Sequence, residues 1–326
     1  MFNYTYFKTT LLLLVFATTA ITSLSPSEVL TLRYSSFSSQ TNINVTSLDG
    51  GDVVGSGLVN NLVYSALPSG VENTVMIFGL QNLNFVLFTF NYQTFETQQV
   101  GEYLDIKSFG FQANSFGYEP SLELVMNLEA TNEQLNFISW DFKNNILNVL
   151  PLDVGAQVTP DTAVGCYDGK SNYYIVFGER NKNSTIISYD IFGKGLSPVQ
   201  YVLLNSKNQF FYSIFSAVSY SNNQVEQLYG VEIVTLVNDT TVYTLYAIEL
   251  DSSSSTATTT FLHEVYSTDY DSRLTPFVTN SQSIVFYTID ERQRLVTTVV
   301  RLANLQTTVY PTSTDFYNKD VSMFLP

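Results

Sequence analysis

Several times along this chain an apolar run breaks at a short polar turn and resumes as a second apolar run, at nearly constant spacing. FVLFTFNYQTFETQQV begins at Phe85, LNFISWDFKNNILNVLP at Leu135 and STIISYDIFGKGLSPVQ at Ser184. TVYTLYAIELDSSSSTATTTF follows from Thr241 and LVTTVVRLANLQTTVYP from Leu295, and VLTLRYSSFSSQTNINV, from Val29, is a weaker early copy. With Arg33, Asn91, Asp141, Asp190, Glu249 and Arg301 as equivalent points, the steps run from 49 to 59 residues. A period of this length is the mark of a repeated supersecondary unit, too small to bury its own surface and stable only beside its neighbours.

A second unit lies between these hairpins. AVGCY (Ala163–Tyr167) leads through DGKSN to YYIVFG, FSAVSY leads through SNNQVEQ to LYGVEI, and PFVTNSQSIVFYTI repeats the pattern from Pro276. Each period therefore holds about four strands. Tyr and Phe number 22 and 24, apolar runs are short, and Gly, Asn, Ser and Asp punctuate them, so the class is all-β. Four antiparallel strands in each of about six periods is the pattern of a β-propeller, with seven blades the open alternative. Middle strands should then be apolar on both faces, as FVLFTF is, and innermost strands should carry small residues, for which GSG (Gly55–Gly57), FSA and AVGC are candidates. The period starts on a hairpin and ends on DVSMFL, a strand expected to complete the first blade. A tandem pair of β-sandwiches, the alternative fold, should show a linker, and none is visible.

The first residues, MFNYTYFKTTLLLLVFATTAITS, read as a secretory signal peptide over 1–23, with Lys8 before a short apolar core and cleavage near Ala20 or Ser23. A single propeller domain is expected over 24–326. No later run has the length of a membrane span, so the product is expected to be secreted and extracellular. The formal charge is −15. A surface so acidic repels phosphate backbones and anionic lipid, which excludes nucleic acid as a partner. Cys166 is the one cysteine, so no internal disulfide forms and burial must supply the stability; a buried free thiol is expected.

In architecture the chain resembles extracellular β-propeller repeat proteins over the whole mature length. No specific family's motif accompanies the resemblance. Trp140-Asp141 is the single Trp-Asp pair, where WD repeats carry one in most blades; Gly50-Gly51 is the single double glycine, where Kelch repeats need one per blade. The Gly193–Gly195 GKG reads as turn chemistry, since a phosphate loop needs GxxxxGK[ST] between strand and helix.

Candidate chemistry is sparse. His263 is the lone histidine, so Cys-His catalysis would have to pair it with Cys166 from a different repeat, and a histidine-rich zinc site is impossible. No cofactor is expected, calcium excepted: Asp49 with Asp52 and Asp269 with Asp271 are weak candidates whose ordinary reading is a solvated turn. Sequons occur at Asn44, Asn183 and Asn238. Asn183 and Asn238 precede outer hairpins at matching places in neighbouring repeats, which puts glycans on one face and any binding surface on the other face or in the axial pocket. Tyr167 and Tyr220, at the ends of presumed inner strands, are the candidate ligand contacts. These features point to a secreted, glycosylated, non-catalytic binding or adhesion module with an extracellular protein or glycan as ligand. The alternative is a secreted glycoside hydrolase or lyase with carboxylates at the axial mouth.

Overall fold

The computed structural model describes residues 28–315 apart from 36–39, 48–52, 61, 70, 72, 82–83, 104–111, 113–114, 131–133, 153–162, 179–180, 194–197, 208, 220, 222–224, 237–239, 269–276, 280–282 and 293. The expected signal peptide and the expected closing strand DVSMFL lie outside the described residues.

Every element among the described residues is a β-strand. β1 (Glu28–Ser35), β2 (Gln40–Ser47) and β3 (Val53–Val59) make the first sheet. β4 (Leu62–Pro68), β5 (Thr74–Gln81), β6 (Asn84–Asn91) and β7 (Thr97–Tyr103) make the second. β8 (Gly117–Glu119), β9 (Leu124–Ala130), β10 (Leu135–Asp141) and β11 (Ile146–Leu152) make the third. The fourth holds β12 (Ala163–Tyr167), β13 (Asn172–Phe177), β14 (Thr185–Asp190) and β15 (Val199–Leu203). β16 (Phe211–Val218), β17 (Glu226–Thr235), β18 (Thr241–Asp251) and β19 (Thr256–Ser267) make the fifth. β20 (Phe277–Thr279), β21 (Ser283–Ile289), β22 (Arg294–Arg301) and β23 (Thr307–Asp315) make the sixth. These are the blades of a β-propeller, each a meander in chain order, and the expectation of about six is met. A short parallel pairing, Val202 with Thr256 and Leu203 with Ala257, joins β15 to β19.

The chain divides into two compact units. One comprises Lys107–Val234 with Val242–Glu264 and carries the third, fourth and fifth sheets; the other carries the first, second and sixth.

Why these residues make blades is plain in the burial. In β10 every residue from Leu135 to Trp140 is buried, and in β6 Phe85, Val86, Leu87, Phe88 and Phe90 are buried in nearly unbroken succession. A sheet exposed on one face would alternate; these strands are covered on both. Met126, Leu128, Leu135 and Phe137 of the third sheet pack on Tyr173, Ile175, Phe177 and Ile187 of the fourth. Val164, Cys166, Val176 and Ile186 of the fourth pack in turn with Phe211, Ile214, Leu228 and Ile248 of the fifth. Each fully buried large side chain contributes about 1.5–3 kcal/mol, so a blade is stable through its neighbours.

Side chains also close the turns, at repeating positions. Between the first and second strands of four sheets, an oxygen accepts the backbone N–H two residues on: Ser69 from Val71, Glu119 from Ser121, Asp168 from Lys170 and Ser219 from Ser221. In the outer hairpins Asn91, Asp190 and Asp251 do the same, and Asp141 accepts the N–H three residues on, from Asn144. Phe95, Asn145, Ser255 and Leu305, each four residues after Asn91, Asp141, Asp251 and Arg301 in turn, adopt φ of 60°, 53°, 53° and 55°. A repeated left-handed residue at one turn position is a backbone signature of the repeat.

Three sequence readings need correction. The hairpin from Val29 is β1–β2, but β3 lies beside β7, the outermost strand of the next sheet, while β1 and β2 lie beside β4. β2–β3 is therefore the outer hairpin, and the Val29 copy is displaced by one strand. Gly55 and Gly57 consequently belong to an outermost strand, not an inner one. A Cβ at Gly55 would meet the Phe95 ring at 2.0–2.5 Å and one at Gly57 the Phe90 ring at 2.6 Å, so each glycine makes room for an aromatic. The turn residue of the fifth sheet is Asp251 rather than Glu249, because β18 is longer than its counterparts. AVGC and FSA do lie on first strands, β12 and β16, which pack side by side.

Candidate functional site

The site follows from how the fourth and fifth sheets start, wholly within the unit of residues 107–234 and 242–264. β12 ends at Tyr167 and turns on Asp168, whose Oδ1 accepts the N–H groups of Lys170, Ser171 and Asn172 at 2.8, 2.9 and 3.0 Å. Its Oδ2 accepts from Asn172 Nδ2 at 3.0 Å. Gly169, with φ of 75°, lets the chain double back there. β16 ends beside Ser219, whose Oγ lies 3.0 Å from both Ser221 Oγ and Gln227 Oε1. Lys170 Nζ reaches Glu226 Oε2 at 3.1 Å and straps the two turns together.

Between these turns lies a cleft of about 370 Å³, within the general range of about 300–1,000 Å³ for small-molecule sites. Its apolar floor is Leu228, Ile248 and Leu250; Asp168, Tyr174, Ser216, Ser219, Ser221, Gln227, Glu226 and Glu249 supply the polar wall. Burial, then the charge of Asp168, pushes the Tyr174 phenol up to about 12. The cleft thus offers hydroxyls, an amide and carboxylates above an apolar base.

Tyr167 takes a different part. Its hydroxyl donates to Glu119 Oε2 at 2.5 Å, tying the turn of the fourth sheet to that of the third. Glu119 is buried and also accepts from Ser121 N at 3.0 Å. Burial, then the hydrogen bond to Glu119, holds the Tyr167 phenol well above its ordinary range. Asp168, which sequence reasoning passed over, lines the cleft in its place. Its signal was the DG that opens DGKSN, read as a turn joining two strands. Ser219 and Gln227 gave no signal, because their convergence depends on β16 and β17 pairing Ala217 with Gln227.

The remaining sites disperse. Cys166 is a buried free thiol on β12, pushed upward by burial and then by Asp168. His263 lies on β19, the last strand of its sheet, away from the first-strand position of Cys166 in the sheet order. Asn183 lies half-buried in the connection between β13 and β14, at the opposite end of the fourth sheet from Asp168. Its neighbour Ser184 is buried, donating N–H to Ser206 Oγ at 2.7 Å and Oγ–H to the Gln209 carbonyl at 3.1 Å. Asn44 lies within β2, in register with Thr31 and Ser56, not in a turn. Gly193 follows Asp190 in the β14–β15 turn, where GKG was expected. Tyr220, Asn238, Asp49, Asp52, Asp269 and Asp271 lie outside the described residues. Among the described residues no three His, Cys, Asp or Glu side chains converge on a possible metal site, and no helix is long and apolar enough to cross a membrane.

No protein-family model matches the chain, and no curated protein matches it. Among solved structures it is similar to TolB from Acinetobacter baumannii, with TM-score 0.51 and 12% identity over 89% of this chain and 64% of that one. The chain thus spans 64% of that TolB's length. It is also similar to the SapL1 lectin in complex with alpha methyl fucoside, at TM-score 0.49 and 11% identity, covering 88% of this chain and 96% of that one. A third likeness, to the β-propeller domain of the Trilobed protease from Pyrococcus furiosus, has TM-score 0.37 and 8% identity over 90% and 94% of the two chains. The TolB likeness is one of fold.

Proposed function

We propose that this chain is a secreted glycoprotein whose propeller serves as a non-catalytic binding module, and that the cleft between the fourth and fifth sheets holds a glycan. The observation that carries the reading is the cleft wall: Ser216, Ser219, Ser221 and Gln227 converge above Leu228, Ile248 and Leu250. Sugars present hydroxyls at their edges and C–H groups on their faces. A hydroxyl-and-amide wall over an apolar base answers both, with Tyr174 as an amphipathic side.

Of the carboxylates lining the cleft, those of Asp168 and Glu226 are already engaged. Asp168 accepts four hydrogen bonds from its own turn, and Glu226 is paired with Lys170. Glycosidic cleavage needs one carboxyl free to donate and a second free to attack or activate water. This supports binding over the hydrolase alternative. The position of Asn183 supports it further, since a glycan there would leave the cleft end of the fourth sheet clear.

The test is a glycan array probed with the purified secreted protein, followed by calorimetry on any saccharide retained. Binding that weakens by about tenfold or more in Ser219→Ala with Gln227→Ala supports the reading. Release of sugar from the retained saccharide, abolished by a single carboxylate change, overturns it in favour of a hydrolase.

A further inference from the structure

The sequon at Asn183 opens beside a surface that fits a sugar: we infer that its glycan packs back on the rings of Phe210, Tyr246 and Phe261 instead of standing free in solvent. The inference rests on glycosylation of Asn183 and is independent of what the cleft binds. Ser184, next in the chain, donates its Oγ–H to the Gln209 carbonyl at 3.1 Å, so the sequon lies against the segment leading into β16. Phe210 follows in that segment and is half-buried. Its ring lies beside the sequon: a Cβ on Gly178 would meet that ring at 2.8 Å and Ser184 Oγ at 3.1 Å. The Gln209 side chain reaches the fifth sheet, its Nε2 3.5 Å from Glu232 Oε2, which also accepts from the Tyr246 hydroxyl at 3.2 Å. Phe261 stands edge-on to Tyr246 at 6.4 Å between centroids, and Tyr246 edge-on to the buried Phe211 at 6.1 Å. Phe211 opens β16 and pairs with Glu232, at the end of the fifth sheet away from the cleft. Contacts therefore run unbroken from Ser184 through Gln209, Glu232 and Tyr246 to Phe261, which is 56% exposed.

The chemistry suits a saccharide. Its C–H faces stack on aromatic rings, and Gln209 and Glu232 offer acceptors to its hydroxyl and acetamido N–H groups. A free sugar would pay the full entropy of association for so shallow a surface, whereas a glycan rooted at Asn183 is held beside it by its own bond. A second copy of the chain, at net charge −15, would meet like charge.

The experiment follows endoglycosidase trimming of the Asn183 glycan on the folded, secreted chain, read by mass spectrometry of the glycopeptide. Trimming should be about two- to tenfold faster in Phe261→Ala than in the unaltered protein, with glycans on other sequons unaffected. Thr185→Val, which abolishes the sequon and keeps the side-chain shape, should lower the thermal midpoint. In that background Phe261→Ala should cost less than it does in the glycosylated protein. Phe261 is exposed, so the fold is expected to survive its loss, and the same melts check it. Equal trimming rates, with the two substitutions additive in the melts, would overturn the packing and leave glycosylation standing. A bare Asn183 would overturn both. A chain that dimerises, and is made monomeric by Phe261→Ala, would assign the rings to a second copy and overturn the packing alone. None of these outcomes alters the array test of the cleft.

Discussion

Tyr173 shows how closely single atoms are set in these blades. It is fully buried, its hydroxyl donates to the Ser115 carbonyl, and its ring packs on Phe137 at 4.9 Å between centroids. Gly165, on the adjacent strand, leaves the space it occupies: a Cβ there would lie 2.4 Å from the Tyr173 hydroxyl and 2.7 Å from its ring. Gly165→Ala should therefore destabilise the protein by about 1–3 kcal/mol through overpacking. Urea denaturation would measure it, and adding Tyr173→Phe should recover part of the loss by removing the nearest atom. Full additivity of the two changes would show that they do not meet. From sequence, Gly165 read as the small residue an inner strand requires, and that was legible. That the neighbour it spares is a tyrosine two residues from its register partner Ile175 was not, because it depends on β12 and β13 pairing Gly165 with Ile175 and Tyr167 with Tyr173.

Among elements, the outer hairpins follow a common design with local departures. Asp141 accepts from Asn144 N at 2.8 Å and from its Nδ2 at 2.7 Å, so Asp141→Ala should cost about 0.5–1.5 kcal/mol in a denaturant titration. Ser255, at φ 53° and exposed, holds a left-handed backbone that glycine adopts without strain. Ser255→Gly should raise the thermal midpoint, and a fall would mean that the hydroxyl matters more than the backbone. The hairpins themselves were readable because a period-two apolar pattern and Asn or Asp turn residues are local properties. Their register was less so. β18 runs eleven residues and β19 twelve, so matching apolar runs slipped from Asp251 to Glu249. The early copy slipped by a whole strand because β1–β2 and β2–β3 are both hairpins, and a local pattern cannot say which comes second and which last.

For the whole molecule, burial of phenols sets the alkaline limit. Tyr118, Tyr174 and Tyr246 are pushed up to about 12, chiefly by burial, and Tyr167 and Tyr173 higher still. In the unfolded chain these groups ionise near pH 10. Raised folded values mean that the native state holds its phenolic protons longer. The stabilisation is thus intact below about pH 10 and is lost as pH rises through about 12. Ultraviolet titration should show a late tyrosine fraction whose ionisation coincides with loss of ellipticity; smooth titration of all tyrosines near 10 would contradict it. Modification-specific mass spectrometry should find Asn183 glycosylated in secreted material, and a bare Asn183 would remove that support for the cleft as the open end.

What the amino-acid order determined by itself was the blade: strands buried on both faces, closed by Asn, Asp and Ser, repeated until neighbours cover one another. These are consequences of hydrophobic period and turn chemistry, which act over a few residues. Tertiary structure alone decided the cleft, because Asp168, Ser219, Gln227 and Glu249 come from a turn, an adjoining turn and two different strands. Their chemistry converges through packing of the fourth sheet on the fifth, and a contact across so many residues leaves no spacing to read.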